Sequence, residues 1–88
     1  MISAGRFELR ITRRAEKDIK KLTPQQKRKL CDILTEVIAC DPFQGKKLVG
    51  DLAGSYSYRL TYHDRIVYSV DMKNRIVYIE RAATHYGE

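Results

Sequence analysis

Eighty-eight residues with a net charge of +6 and a 43% hydrophobic fraction predict one small globular domain, 1–88, and exclude a disordered chain. No apolar run approaches the roughly 18 residues of a membrane span, and no signal-peptide h-region opens the chain, which predicts a cytosolic protein. The positive charge points to an anionic partner, nucleic acid or an acidic protein segment. It is unevenly placed: residues 1–40 hold ten Lys/Arg against five Asp/Glu, residues 41–88 seven against six.

Arg6 to Thr12 alternates apolar and polar residues as a half-buried strand does, with Phe7, Leu9 and Ile11 facing the core. Thr12 is placed to cap a first helix in which Ala15, Ile19 and Leu22 recur at helical spacing. Its other faces carry Arg13, Arg14, Lys17, Lys20 and Lys21. Thr23 restarts a helix as N-cap, with Pro24 at N1 and Gln26 at N3 completing a capping box. Beyond Lys27, the residues Leu30, Ile33, Leu34, Val37 and Ile38 form the apolar stripe of a helix packed on a core, and Asp41-Pro42 ends it. Cys31 and Cys40 fall on opposite faces of this helix, about 13 Å apart along its axis. They cannot bridge within it and read as small packing residues.

Residues 41–54 contain Pro42, Gly45, Gly50 and Gly54 and read as an irregular connection carrying Lys46 and Lys47. Three strands follow. In the first, Tyr56, Tyr58, Leu60 and Tyr62 alternate with Ser57, Arg59 and Thr61; residues 65–70 and 75–79 are rich in β-formers. The short polar turns between them imply an antiparallel meander. The order is β-α-α-β-β-β, an α+β domain with a helical hairpin packed on one face of a sheet.

Period-2 alternation sets Arg59 opposite Tyr58 and Leu60, and Arg65 opposite Ile66 and Tyr68. If the apolar set packs under the helices, both arginines share an exposed face. A tail leaving the last strand can bring His85 and Tyr86 beside them. Guanidinium groups grip phosphate with a planar fork, and a histidine moves protons near neutral pH. Tyrosine stacks on a base. His63 falls in the turn before Arg65 and reads as exposed surface. The two Cys and two His make no zinc pattern.

The segment Leu48-Val49-Gly50-Asp51-Leu52-Ala53-Gly54-Ser55-Tyr56-Ser57-Tyr58-Arg59, with Arg65-Ile66-Val67-Tyr68 and His85-Tyr86, resembles the RelE/ParE toxin superfamily, and within it the YoeB/Txe-like branch of bacterial toxin–antitoxin systems. The resemblance is strong over the second half and architectural over the first. It implies a cytoplasmic, ribosome-dependent messenger-RNA endonuclease in which a 2′-hydroxyl attacks the neighbouring phosphate, with no metal or cofactor. Arg65 would stabilise the phosphate, Arg59 would add a second basic group, and His85 and Tyr86 would support proton transfer and positioning.

The resemblance also implies a cognate antitoxin partner in a higher-order complex. Lys47 would contact RNA, and Arg13, Arg14, Lys17, Lys20, Lys21 and Lys27 on the basic helices would contact ribosomal RNA phosphates or an acidic antitoxin helix. In that branch a carboxylate stands where this chain has Lys46, so the general base is unassigned among Lys46, Lys47 and His85. Two alternatives stay open: a ParE-like, non-enzymatic inhibitor of DNA gyrase, and a catalytically decayed module that only binds nucleic acid or antitoxin.

Overall fold

The computed structural model describes residues 6–50 and 54–84. Strand β1 (Glu8–Ile11) runs into helix α1 (Arg13–Lys20) through Thr12, whose Oγ1 accepts from the Ala15 amide at 3.3 Å as an N-cap. The same hydroxyl donates to the Ile79 carbonyl at 2.9 Å, tying the start of the helix to the last strand. Helix α2 (Pro24–Ile33) opens with the expected capping box. The Gln26 amide donates to Thr23 Oγ1 at 3.1 Å, and the Thr23 amide to Gln26 Oε1 at 3.0 Å. A wider turn, Leu34–Ile38, continues the helix, with the Ala39 amide reaching the Leu34 carbonyl at 2.9 Å.

The apolar stripe packs as its spacing predicts: Leu30, Leu34 and Ile38 are buried and Ile33 lies against the core. The cysteines do not. Both are exposed free thiols, because Cys31 falls off the stripe and Cys40 follows the last helical turn.

The connection after Cys40 is more ordered than its proline and glycines suggest. A 3₁₀ turn (Pro42–Gln44), with Asp41 Oδ1 accepting from the Phe43 amide at 3.2 Å, leads into a two-residue strand, β2 (Lys46–Lys47). Then come β3 (Ser55–Arg59), β4 (Arg65–Asp71) and β5 (Ile76–Thr84), the expected antiparallel meander. The strands lie in the order β1-β5-β4-β3-β2, with β1 parallel to β5. Two residues carry no readable periodicity, so β2 exists only through its pairing with β3.

The helices cover the face that holds Leu60, Ile66, Tyr68, Val77, Ile79 and Ala82, all fully buried. Tyr56 and Tyr58 pack partly against this core, as alternation requires. Ile11 departs from expectation: it sits at the end of the edge strand and stays 40% exposed. Tyr62 also departs, because β3 ends at Arg59 and leaves it in the turn, 83% exposed.

Aromatic rings knit the first strand to the sheet centre. Phe7 meets Phe43 edge-on, Phe43 meets Tyr56 edge-on, and Tyr56 stacks on Tyr68 with centroids 5.8 Å apart. The Tyr68 hydroxyl donates to the Pro42 carbonyl at 2.5 Å and so holds the 3₁₀ turn to the sheet. Burial pushes the Tyr68 pKa up to about 12, with the Gly45 amide opposing, and the phenol stays a donor at neutral pH.

Against β4, the register of β5 slips between Arg65 and Val67 and again between Val67 and Tyr68. Helix α1 grips β5 at this irregular stretch. Asp18 Oδ2 accepts from Arg81 Nε at 2.8 Å and from the Ala82 amide at 3.0 Å, and Oδ1 accepts from Arg81 Nη2 at 3.2 Å. Burial works to raise the Asp18 pKa, but the hydrogen bonds from Arg81 and Ala82 and the nearby positive charge outweigh it. The carboxyl is held below the usual aspartate range. Among the described residues, no helix is long and apolar enough to cross a membrane.

Candidate functional site

Strand β2 is too short to cover β3. It pairs Lys46 with Ser57 and Lys47 with Tyr56, and those two pairs leave Tyr58 and Arg59 beyond it. A cleft of about 520 Å³ opens there. Lys46, Ser57, Arg59 and Arg65 line it from the sheet, and Lys29 and Ile33 from α2.

Pairing explains why these side chains converge. Lys46 and Ser57 are cross-strand partners, as are Ser57 and Val67, so the three share one face. Arg59 and Arg65 are direct partners in the next row of that face. Like charges placed opposite one another destabilise a sheet. Lys46 and Lys29 add to the same field, and among the described residues the cleft lining contains no carboxylate. The two ion pairs among the described residues, Arg10–Glu8 and Arg81–Asp18, involve none of these groups. The cleft is a pocket of concentrated positive charge, suited to a phosphate or another polyanion.

The face is less open than alternation suggests. Arg59 is exposed and Arg65 half-buried, but Ser57 and Val67 beneath them are buried. Lys47 does not join the site, since its pairing with Tyr56 turns it to the opposite face. Arg13, Arg14, Lys17, Lys20, Lys21 and Lys27 are all exposed on the helices, outside the cleft lining. Lys29 also lines a shallow groove with Gln25, Arg28 and Asp32 on α2. Thr84 is the backbone partner of Arg65, so β5 ends beside the arginine pair. His85 and Tyr86 lie outside the described residues. His63 is exposed, edge-on to Tyr62, in a turn closed by Thr61 and Asp64, whose amide donates to Thr61 Oγ1 at 3.0 Å.

Sequence reasoning missed Lys29 and Ser57. Lys29 had one usable signal, since it precedes Ile33 by four residues and so shares its helix face. Ser57 had none, because a serine in an alternating strand reads as solvent-facing.

Gly45 sets the position of Lys46 through space rather than backbone freedom, with an ordinary φ of −71°. A Cβ there would lie 2.2 Å from the Tyr68 hydroxyl and 2.8 Å from the Ser57 carbonyl. Neither neighbour moves easily, since one is pinned to Pro42 and the other is backbone. Gly45→Ala is therefore expected to destabilise the fold by about 1–3 kcal/mol. It should also push β2, with Lys46, away from β3. Denaturant unfolding checks the first effect, and hydrogen exchange at the β2–β3 amides the second.

Among the described residues, no group of three or more His, Cys, Asp or Glu is placed to hold a metal ion.

The ParE-like toxin of type II bacterial toxin–antitoxin systems is the family whose model matches this chain, over residues 9–87. No curated protein sequence matches. Among solved structures, a chain of the RelBE2 toxin–antitoxin complex of Mycobacterium tuberculosis is 28% identical with a TM-score of 0.82, over 89% of this chain and 96% of its own. A chain of the YoeB–YefM heterotetramer of Staphylococcus aureus is 25% identical with a TM-score of 0.74, over 92% and 99%. The YoeB/ParE toxin of Agrobacterium tumefaciens shares the fold at 24% identity and a TM-score of 0.80, over 91% and 100%. With the family model spanning nearly all of its length and the strand–hairpin–meander fold shared, the chain belongs to the ParE-like toxin family of type II bacterial toxin–antitoxin systems.

Proposed function

We propose that this toxin is a ribosome-dependent messenger-RNA endonuclease whose cleft holds the phosphate to be cut. The observation that carries the reading is the Arg59–Arg65 pair, set directly across two strands beside Lys46 and Lys29. A sheet tolerates such a pair where an anion repays the repulsion.

The reaction needs no redox change. The 2′-hydroxyl oxygen bonds to the adjacent phosphorus, the bond to the 5′-oxygen breaks, and a cyclic phosphate and a 5′-hydroxyl result. One proton leaves the attacking hydroxyl and one reaches the leaving oxygen. Arg65 and Arg59 neutralise charge growing on the phosphoryl oxygens, and Lys46 adds to that field from β2. His85 and Tyr86 follow the end of β5 in the chain and are assigned to proton transfer and positioning. The exposed cations of α1 and α2 supply salt-sensitive docking on ribosomal RNA phosphates.

The partner is a cognate antitoxin, as the toxin–antitoxin complexes of the related chains support. Expression without that partner is expected to arrest growth, with messages cut at ribosome-occupied codons. Mapping RNA 5′ ends after induction tests this, and intact message during a confirmed arrest refutes it.

Lys46, at a position where the YoeB/Txe-like branch has a carboxylate, favours a second reading: a catalytically decayed module that only binds nucleic acid or antitoxin. Such a module would bind RNA with a steep salt dependence yet leave ribosome-bound message uncut.

A further inference from the structure

Ser57 carries a feature that neither the fold nor the reaction as described uses. The residue is 2% exposed, and its Oγ is buried with no hydrogen-bond partner. Leaving a buried hydroxyl unpaired costs about 1–3 kcal/mol, and serine has no strand preference to recommend it at this position. Alanine would fill nearly the same space without the penalty.

The location supplies a reason for the hydroxyl. Ser57 lies in the wall of the cationic cleft, on the face it shares with Lys46, Arg59 and Arg65. Those groups donate hydrogen bonds and cannot accept the serine proton. A phosphate oxygen can.

We propose that Ser57 is a substrate-binding group, its hydroxyl donating to a non-bridging oxygen of the RNA phosphate held by Arg59 and Arg65. The assignment rests on the nuclease reading for the identity of that phosphate. The Oγ is enclosed, and Lys46 and Arg59, its neighbours on this face, are exposed, long and rotatable. Binding on this proposal requires one of them to swing aside so that a phosphate oxygen reaches the hydroxyl. The unpaired donor is then a fixed part of the site, satisfied only in the complex.

The test exploits opposite signs. In Ser57→Ala, the melting temperature should stay equal or rise, because an unpaired buried donor is removed. Cleavage of ribosome-bound message should fall about tenfold. Ser57→Thr keeps the hydroxyl and should retain more cleavage than Ser57→Ala. A second readout does not need turnover: an RNA tetranucleotide with 2′-deoxyribose at the attacking position should raise the melting temperature of the wild-type chain more than that of Ser57→Ala.

A Ser57→Ala variant that cuts and binds like wild type overturns the proposal. So does one that loses stability in step with activity, since that marks a structural serine. A wild-type chain that cuts no message overturns the nuclease reading instead, and the tetranucleotide shift still decides Ser57 by itself.

Discussion

Arg65→Ala is expected to lower cleavage of ribosome-bound message by about 10²–10³-fold, the usual loss when one preorganised donor to a developing oxyanion is removed. The fold should survive the change. Arg65 is only half-buried, and removing it relieves its repulsion with Arg59. Unfolding midpoints within a few degrees of wild type, together with retained antitoxin binding, would show that the loss is chemical. Arg59→Ala should follow with a smaller loss, because Arg59 is the more exposed of the pair. Full-rate cleavage by Arg65→Ala would remove the arginine pair from the mechanism.

The second large effect is expected at Asp18, outside the cleft. Asp18→Ala leaves the Arg81 guanidinium and the Ala82 amide without the carboxylate that accepts from both. The Asp18 side chain is 13% exposed and that of Arg81 36%, so solvent screens part of the pair. A loss of about 2–3 kcal/mol follows, less than for a fully buried pair. In a domain of this size that lowers the melting temperature by about 10–20 °C.

Acid should reveal the same contact. The folded-state pKa of Asp18 lies below its unfolded value, near 3.9, so the unfolded chain takes up the proton first as pH falls. The stability Asp18 contributes is fully present above about pH 4–5 and drains away below it. Asp18→Asn should lose that acid-dependent component, which urea melts at pH 7 and pH 3 would measure. Activity should drop as well, because the clamp steadies β5 where its register slips, just before Thr84 meets Arg65.

Much of the architecture was legible because it rests on local chemistry. Thr12 and Thr23 cap their helices as their neighbours demand, and the Leu30-Leu34-Ile38 stripe packs on its spacing alone. The meander followed from β-rich runs separated by short turns. The site was legible only in part. Arg59 and Arg65 were placed on one face by alternation, and they prove to be direct partners. Lys46 was picked out by resemblance, and its seat beside Ser57 depends on a two-residue strand that no periodicity announces. Lys47, taken with it as a pair, turns the other way for the same reason.

By itself the sequence determined the order of elements, the capped helical hairpin, the cationic helix faces and the placing of Arg59 and Arg65 on one face of the sheet. Each follows from residues a few positions apart, where propensity and period act. Only the tertiary structure decided that Lys29 from α2 joins the cleft, that Ser57 sits buried and unpaired within it, and that Asp18 holds β5 from 63 residues away. Those contacts join residues whose separation along the chain carries no signal, and burial is a property of what the rest of the fold brings over them.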